Sequence, residues 1–532
     1  MTHKSMVVAP QPEAAEVGIE ILKAGGNAID AAIAVAFAQG VIDPQMCGLS
    51  GYGTMVIHLP QSNEQVSVDF HSRAPAAATS TMWERLFDVQ SQDGFGFKLK
   101  GRVNELGYGA IGVPAAVRGY ELAHSRYGKM QWKEIIQPAV EIARAGWTIR
   151  PAVFRFWSED EEHPGERLHV SEEGRRLYCR PDGSTKRIGE KIVNADYAST
   201  LEAIARDGAD AFYLGDIAKT MIADISAHGG LLSHEDLASY RARVSRPVRS
   251  KYRDYEVVSV PPPASGLMLL QMLKALENYD LVGLGHNSPD YIRIVSEIMK
   301  RATIDKEALI GDPAVLPDPA AELLDPKKIK RWSDEIDRGE RQKITRSAGE
   351  YEAKHTTHIT VVDSNANCVA LTHTLAMPSG VVTPGLGFMH NGTMGAFDPR
   401  PNRPGSIAPG RMRISSLCPS IVFESGKPRM VVGAPGGPQI PMGVLQTVLN
   451  VLDFGMAIDR AVAAPRFSST SDAIDLSNRI PRSVARNLSD MGYDVKYRPF
   501  SYTFSWVHAL EFTSGGLVGG ADPGQDGVAY GF

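Results

Sequence analysis

Cysteine is scarce in this sequence, and the few cysteines that occur lie far apart. Cys47, Cys179, Cys368 and Cys418 form no C-x-x-C pair among the 532 residues. Zinc sites and dithiol redox motifs use such closely spaced pairs, so neither kind of site is expected. The pattern is instead typical of a protein whose thiols stay reduced.

Long apolar segments are also missing. The beginning, MTHKSMVVAPQPEAAE, lacks the apolar core of a secretory signal peptide. The most apolar stretch, AIDAAIAVAFAQGVI, is too short to span a bilayer, and it contains Asp30 and Gln39. We therefore expect a cytoplasmic protein with no membrane partner.

No basic segment interleaves with aromatic residues, and the net charge is -5. A nucleic-acid partner is therefore not expected. Apolar residues make up 43% of the chain and charged residues 22%, which is typical of soluble globular proteins. The length allows two domains or one large layered fold with a substantial core.

The composition of the chain changes in its second half. Residues 110–310 are predicted to be mostly helical, after an apolar helix, AIDAAIAVAFAQ, that Gly40 should end. Residues 317–355 are highly charged and weakly patterned, which predicts a mobile connector. Short β-rich runs such as HITVVD, NCVALTHTL and MVVGA follow. Sheets that each carry helices on one side predict a layered α+β fold built from both halves of the chain.

The stretch HITVVD-SNAN-CVALTHTL is predicted to form a hairpin centred near Asn365. Thr356 lies nine residues before Asn365 and Thr374 nine residues after it, so a regular antiparallel register places them opposite each other. One hydroxyl could then orient the other by hydrogen bonding. The competing interpretation is that threonine is simply common in strands.

Thr356 gains a second function if the His355–Thr356 bond is broken. It then carries a hydroxyl nucleophile and a free α-amine, whose pKa of roughly 8 lets it accept the hydroxyl proton. The same hydroxyl can attack the preceding carbonyl and so break the bond without a protease. A metal site at His355 and His358 is not expected, because the acidic residue of H-E-x-x-H is absent.

Two further pairs have the chemistry that acyl transfer requires. Gly436 and Gly437 follow an apolar strand and precede a helix, where successive N–H groups can converge on an oxyanion. Ser415 and Ser416 precede another strand, and their hydroxyl and amide groups could hold a substrate carboxylate.

Segments similar to the γ-glutamyltranspeptidase family of N-terminal-nucleophile hydrolases occur in order along nearly the whole chain. They are EILKAGGNAIDAAIAVAFAQGVIDP, GLSGYG, GVPAAVRGYELAHSRYGKM, GGLLSHEDLASYRARV, PPPASG, HTTHITVVD, RISSLCPSIVF, GAPGG and AAPRF. The resemblance implies a four-layer αββα sandwich and a zymogen that cleaves itself before Thr356. A large chain, 1–355, would then pair with a small chain, 356–532. No cofactor or metal is implied, and the oligomeric state stays open between a monomer, a homodimer and a tetramer.

The resemblance also implies roles by position. The matches are Thr356 as nucleophile, Thr374 as its supporting threonine, Ser415 and Ser416 as the carboxylate-binding pair, and Gly436 and Gly437 as the oxyanion glycines.

Three positions depart from the pattern of enzymes that act on γ-glutamyl groups. Ala376 stands where these enzymes have an asparagine, Thr393 where they have a glutamine, and Ala396 where an acidic residue holds the substrate α-ammonium. An ammonium buried without its carboxylate costs several kcal/mol. The resemblance therefore implies an intact catalytic apparatus and a lost α-amino subsite, with Thr393 as a candidate substrate contact.

The arginine position of the family is altered as well. His71 occupies it in DFHSRAP, and Arg73 follows two residues later on the same strand face. Both are candidate substrate contacts. The segment between Ala396 and Ser415 is shorter than in relatives with a substrate-covering lid.

These features predict a self-processing amide hydrolase or acyltransferase. Its substrate is expected to be a small amide whose acyl part carries a carboxylate or carbonyl but no α-ammonium, such as a glutaryl or oxamate-like amide. The alternatives are a true γ-glutamyltransferase or glutathione hydrolase, and a non-catalytic protein that binds a small acid. A dehydrogenase is a weaker alternative, because the G-x-G-x-x-G of residues 107–112 follows no apolar strand.

Overall fold

A computed structural model of the chain describes residues 3–91, 94–158, 165–344, 346, 355–498 and 504–532. Within these ranges the helices, α1 to α19 in chain order, are Pro12–Lys23, Ala28–Ile42, Ala116–Tyr127, Trp132–Ala145, Pro151–Ser158, Glu166–His169, Glu172–Tyr178, Ala195–Asp207, Asp210–Tyr213, Asp216–Ala227, His234–Ser239, Gly266–Leu276, Leu281–Leu284, Pro289–Leu309, Ala320–Leu323, Pro326–Asp337, Ile440–Leu452, Ile458–Ala463 and Arg482–Asp490.

The strands, β1 to β22 in chain order, are Met6–Ala9, Tyr52–Leu59, Glu64–Phe70, Phe87–Gln90, Phe97–Leu99, Trp147–Thr148, Lys191–Ile192, Arg243–Ser245, Val248–Tyr252, Tyr255–Ser259, His355–Val362, Cys368–Ala376, Pro378–Val382, Met389–Asn391, Ser420–Glu424, Lys427–Gly433, Phe467–Ser468, Ile474–Ser477, Val495–Arg498, His508–Thr513, Gly516–Ala521 and Val528–Gly531.

Two large sheets form the centre of the molecule. The first has seven strands in the order β22-β1-β11-β12-β2-β3-β8, and the second has six in the order β21-β20-β16-β15-β10-β9. Each sheet takes strands from both sides of residue 355, which confirms that both halves of the chain build the fold.

The sheets stack face to face, and helices cover their outer faces. Strands β11 and β12 of the first sheet contact β16 and β20 of the second. Helices α1, α2 and α3 pack on the first sheet, and α12, α17 and α18 pack on the second. This four-layer arrangement confirms the predicted α+β sandwich of the αββα type. Because both faces of the central strands are covered, every residue of β11 and β12 is buried.

Helix α2 is surrounded by other elements on all sides. Asn27 caps it by accepting hydrogen bonds from the N–H groups of Ile29 and Asp30, both at 3.0 Å. The predicted end at Gly40 is wrong, because the helix continues to Ile42. A side chain at Gly40 would lie 3.1 Å from the Gly48 Cα, so the glycine serves close packing and does not end the helix.

The prediction of a mobile connector over residues 317–355 is wrong for its first half. Helices α15 and α16 occupy much of residues 320–337. Trp332 and Ile336 lie one turn apart on α16 and are buried, so an apolar stripe holds this charged helix against the core. Residues 345 and 347–354 lie outside the described residues.

Within the described ranges, we find no helix long and apolar enough to cross a membrane.

Candidate active site

Thr356 and Thr374 meet at one end of the central hairpin, as the sequence predicts. Strands β11 and β12 pair antiparallel, with Thr357 opposite His373, and the register shifts by one residue between His355 and Thr357. Two residues of β12, Thr374 and Leu375, therefore lie opposite the single residue Thr356, and this β-bulge distorts the ladder beside it. The Oγ1 of Thr356 still lies 3.1 Å from the Oγ1 of Thr374.

Both hydroxyls converge on the carbonyl oxygen of His355. The Oγ1 of Thr356 lies 2.7 Å from that oxygen, and the hydroxyl of Thr374 donates a short hydrogen bond to it. The N–H of Ala376 donates to the Oγ1 of Thr374 at 2.9 Å, which fixes the direction of the Thr374 hydroxyl. The carbonyl that self-cleavage would attack thus has a nucleophile and a donor beside it.

His355 contributes no proton to this arrangement. Burial and, to a smaller extent, the charge of the nearby Arg167 lower the pKa of its imidazole to about 3. A neutral imidazole leaves proton transfer to the two threonine hydroxyls. The arrangement places the Thr356 hydroxyl beside the preceding peptide carbonyl, which is the group that it would attack in self-cleavage.

Replacing Thr374 with valine should slow self-cleavage about a hundredfold, because loss of one oxyanion donor typically has an effect of that size. Valine keeps the shape of threonine and removes only the hydroxyl. A time course of chain cleavage on a denaturing gel measures the rate. Thr372→Val is the matched control on the same strand, since its hydroxyl bonds to His358 at 2.8 Å and not to the scissile carbonyl. Cleavage of Thr374→Val at the wild-type rate would contradict this role.

A cavity of about 300 Å³ opens beside Thr356. Its size suits a small molecule rather than a folded partner. Gly437, Ser415 and Ser416 line it together with Thr356, so four of the predicted site residues share one cavity. Tyr52, which pairs with Thr374 across β2 and β12, lines it as well.

The glycine pair adopts backbone conformations that favour glycine. Gly436 has φ of 136° and Gly437 has φ of 57°. A side chain at Gly436 would lie 2.6 Å from the Cβ of Ser505, which excludes larger residues. The pair leads into a short 3₁₀ turn and then α17, so its amides lie at the positive end of these turns, as an oxyanion site requires.

Ser416 and Ser415 are held by two different partners. Lys306, at the C-terminal end of α14, donates to the Oγ of Ser416 at 2.7 Å and also lines the cavity. The Oγ of Ser415 lies 2.7 Å from the Nε2 of His71. The hydroxyl of Ser416 therefore contacts the ammonium of Lys306, and the hydroxyl of Ser415 contacts the imidazole of His71.

Arg413 is the cavity residue that sequence reasoning missed. It is buried, and its guanidinium stacks on the rings of Tyr52 and Phe95, at 5.1 and 5.9 Å from their centroids. One N–H group donates to the hydroxyl of Tyr52, and the Nε has no hydrogen-bond partner within the described part of the chain. No carboxylate pairs with it among the residues that the structure describes. The only signal in the sequence was a basic residue two positions before the serine pair.

The cavity wall is positively charged on balance. Its cationic residues are Lys306, Arg400, Arg403 and Arg413, and its acidic residues are Glu307 and Asp398.

Both acidic residues already have cationic partners. Asp398 accepts two hydrogen bonds from Arg400, at 2.8 and 2.7 Å, and Glu307 pairs with Arg346. A bound molecule therefore meets unneutralised positive charge, chiefly at Arg413.

The two alanines that replace family residues lie at the cavity itself. Ala376 and Ala396 both line its wall, so the expected α-ammonium subsite has no carboxylate at either position. Ala376 has φ of 65°, a conformation that asparagine adopts more readily than alanine.

Three predicted contacts lie outside the cavity wall. His71 is buried behind Ser415 and reaches the cavity only through it. Arg73 stacks on Tyr240 with its guanidinium 5.8 Å from the ring centre, and it does not line the cavity. Thr393 is fully buried, and its N–H donates to Asn391 at 3.1 Å. Arg413 thus lines the cavity, whereas Arg73, Thr393 and His71 do not.

Neither a metal site nor a dinucleotide site is supported. The two ring nitrogens of His358 lie 2.8 and 3.0 Å from the hydroxyls of Thr372 and Thr360, so both are engaged. The strand before Gly107 is β5, which pairs antiparallel with β4 and with no other strand of the described ranges. A dinucleotide site needs a parallel sheet strand there.

The chain resembles known proteins over nearly its whole length. The sequence profile of the family described as Gamma-glutamyltranspeptidase matches residues 14–532. The acylase ACY 1 proenzyme of Pseudomonas sp. (strain SE83) is 34% identical over 525 residues, covering 97% of this chain and 91% of that protein. The glutathione hydrolase proenzyme of Escherichia coli (strain K12) is 35% identical over 481 residues, covering 87% of this chain and 80% of that protein.

Solved structures show the same similarity. Cephalosporin acylase from Bacillus halodurans superposes with a TM-score of 0.89 at 26% identity, covering 100% of this chain and 96% of that chain. Helicobacter pylori gamma-glutamyltranspeptidase superposes with a TM-score of 0.56 at 33% identity, covering 64% of this chain and 92% of that chain. The chain therefore belongs to the gamma-glutamyltranspeptidase family of N-terminal threonine hydrolases and acyltransferases.

Proposed function

We propose that this self-processing enzyme hydrolyses or transfers the acyl group of a small amide whose acyl part carries an anionic group and no α-ammonium. Glutaryl amides are the simplest such substrates, and oxamate-like amides are the shorter variant. The observation that carries the proposal is Arg413, a buried cation in the cavity wall with no carboxylate partner among the described residues. Burying an unpaired charge costs several kcal/mol, and a substrate carboxylate offsets that cost.

Self-cleavage comes first in the proposed mechanism. The Oγ1 of Thr356 attacks the His355 carbonyl, while the Thr374 hydroxyl donates to the developing oxyanion. The C–N bond breaks as the hydroxyl proton passes to the Thr356 nitrogen, and an ester forms between His355 and the Oγ1 of Thr356. Water then hydrolyses that ester. Thr356 is then the first residue of the small chain and has a free α-amine.

Turnover uses the same threonine. The α-amine accepts the proton of the Thr356 hydroxyl, and the Oγ1 attacks the carbonyl of the substrate amide. The N–H groups at Gly436 and Gly437 stabilise the oxyanion, and the leaving amine takes the proton back. Water or a second amine then attacks the acyl-threonine ester and restores the free enzyme.

Similar proteins support an acyl-transfer enzyme of this kind. One relative is named an acylase and another a glutathione hydrolase, and a structural neighbour is a cephalosporin acylase. A true γ-glutamyltransferase or glutathione hydrolase is the second candidate. The alanines at 376 and 396 favour the first candidate, because neither can bind an ammonium group.

A panel of three p-nitroanilides tests the proposal. The glutaryl, L-γ-glutamyl and butyryl compounds share the leaving group and the first four acyl carbons. Glutaryl adds a carboxylate to these carbons, and L-γ-glutamyl adds a carboxylate and an α-ammonium. We expect kcat/KM to be highest for glutaryl, since its carboxylate meets Arg413 and it brings no ammonium. A preference for γ-glutamyl would favour the second candidate, and a processed protein that turns over none of the three would contradict the proposed substrate class.

Replacing Ala396 with aspartate should raise kcat/KM for γ-glutamyl p-nitroanilide about tenfold or more and lower it for the glutaryl compound. The new carboxylate would pair with the substrate ammonium, and a paired charge is worth about 1.5–3 kcal/mol. Ala396→Asn is the matched control, because it adds similar volume without charge. Equal changes for aspartate and asparagine would place the ammonium subsite elsewhere.

A further inference from the structure

Behind Ser415 lies a hydrogen-bonded chain of three side chains that the proposed mechanism does not use. The Nδ1 of His71 is 2.6 Å from the Oδ1 of Asp69, and its Nε2 is 2.7 Å from the Oγ of Ser415. All three residues are buried. Asp69 and His71 follow each other around the end of β3, whereas Ser415 comes from the segment before β15, so the chain joins both halves of the protein.

The short contact with Asp69 limits the protonation states of His71. Burial alone would raise the pKa of Asp69, but His71 and Arg243 outweigh burial and lower it to about 2. Asp69 is therefore ionised, and the Nδ1 facing it must carry a proton. Only two states remain for His71, the imidazolium and the neutral form with its proton on Nδ1.

These two states give Ser415 opposite roles toward the cavity. The imidazolium donates from Nε2 to the Oγ of Ser415, so the serine O–H is free to donate to a bound carboxylate. Neutral His71 accepts the serine O–H instead, and only an oxygen lone pair then faces the ligand. The N–H of Leu417 lies 3.3 Å from the same Oγ and donates to it in both states.

The chain has the order of a Ser-His-Asp triad, but its surroundings do not suit a second nucleophile. The N–H of Ser415 donates to the carbonyl of Pro263 at 2.9 Å, so it cannot serve as an oxyanion donor. Thr356 already supplies a nucleophile to the same cavity. A role of Ser415 in positioning the substrate explains this geometry, and it does not require Ser415 to compete with Thr356 for the acyl group.

We propose that His71 is a specificity-determining positioning residue, which makes Ser415 a donor to anionic acyl groups when its imidazole is protonated. The inference rests on the proposed function, because it concerns how the same cavity binds the substrate carboxylate. His71 itself does not contact the substrate in this arrangement. Ser415 recognises the carboxylate together with Arg413, and the Asp69–His71 pair controls whether Ser415 donates to it.

The other charged and titratable groups around His71 hold steady across the range in which histidine titrates. Arg243 donates to the Oδ2 of Asp69 at 2.6 Å, and Tyr240 donates to the carbonyl of His71 at 3.0 Å. Burial raises the pKa of Tyr52, whose ring lies 5.6 Å from the imidazole. Arginine stays charged at every pH at which the protein is folded. The charges of Arg73 beside Tyr240 and of Arg413 beside Tyr52 therefore do not change with pH.

The two protonation states of His71 determine whether the KM for an anionic substrate rises or falls with pH. The donor form of Ser415 requires the imidazolium of His71, so a rise in pH can remove this form and cannot create it. The KM for glutaryl p-nitroanilide should therefore rise about tenfold from the acidic to the alkaline end of the pH range in which the processed protein stays folded. The kcat should rise over the same range, because the Thr356 α-amine must lose its proton to act as a base. The KM for the neutral butyryl compound should stay level.

His71→Gln tests the inference on the full-length processed protein. The glutamine side-chain amide can reach toward Ser415 as a donor that does not titrate, so KM for the glutaryl compound should become independent of pH while kcat keeps its rise. His71→Ala should lose the donor altogether and raise KM about tenfold at low pH. His58→Gln is the matched control, a buried histidine outside the cavity that packs on Phe423, and its pH profile should be that of the wild type.

The outcomes separate this inference from the proposed function. A glutaryl preference with a KM that is level in pH, and unchanged in His71→Gln, would overturn the role of His71 and leave the substrate class intact. A wild-type enzyme that does not prefer glutaryl to butyryl would overturn the proposed function itself. If His71→Gln fails to process, the wild-type pH profiles of the two substrates still decide the matter.

Discussion

Thr356→Ala should remain a single uncut chain and hydrolyse no amide. Alanine lacks the Oγ1 that lies 2.7 Å from the His355 carbonyl oxygen, so neither the cleavage step nor the later acyl ester can form. The wild type should run as two bands on a denaturing gel, corresponding to residues 1–355 and 356–532. Intact mass fixes the cleavage point to one bond.

Two neighbouring variants sharpen this prediction. Thr356→Ser keeps a hydroxyl at the same atom and should process, with reduced rate. Thr357→Ala removes the adjacent hydroxyl, which bonds to Gln39 at 3.1 Å, and should process normally. Cleavage of Thr356→Ala at the same bond would mean that another group attacks it. A wild type that stays uncut on long incubation would favour the non-catalytic, acid-binding alternative.

Arg413→Gln should lower kcat/KM for glutaryl p-nitroanilide about 10- to 100-fold. A hydrogen bond to a charged group contributes about 1.5–3 kcal/mol, and each 1.4 kcal/mol is about a factor of ten. Glutamine keeps a donor and much of the side chain but carries no charge. Turnover of the butyryl compound should stay within about twofold, because that substrate has no carboxylate to bind.

Arg411→Gln is the matched control for this variant. Arg411 lies two residues earlier and does not line the cavity. Arg413→Lys should recover part of the glutaryl activity, since lysine restores the charge but not the planar fork of donors. Parallel losses for the glutaryl and butyryl compounds would show that Arg413 supports the fold and not the acyl subsite.

Local spacing predicted much of the catalytic centre. Thr356 and Thr374 each lie nine residues from Asn365, so a regular hairpin places them opposite each other. Their hydroxyl oxygens lie 3.1 Å apart. The β-bulge of β12 opposite Thr356 could not be predicted, because it depends on the irregular pairing of His355 with Ala376. The αββα layers followed from the resemblance and from the alternation of helical and β-rich segments.

Contacts between distant segments could not be read from spacing. Lys306 reaches Ser416 across 110 positions of sequence, and His71 reaches Ser415 across 344. Arg413 was overlooked because its value comes from burial without a carboxylate partner, which is a property of the packed structure. The same limit explains why Arg73, on the expected strand face, was predicted to contact the substrate.

Other expectations stay predictions. They are the cytoplasmic location, the short lid, the division into chains 1–355 and 356–532, and the oligomeric state. The segment predicted as a short lid does supply part of the cavity wall, through Asp398, Arg400 and Arg403.

The most direct test of the central claim is the intact mass of the protein quenched in acid during turnover of glutaryl p-nitroanilide. We expect a fraction of the small chain, residues 356–532, to carry the mass of one glutaryl group, and peptide mapping to place it on Thr356. Hydroxylamine should remove the adduct, as it does for esters. A glutaryl adduct on the large chain, or on any residue of the small chain other than Thr356, would contradict the account.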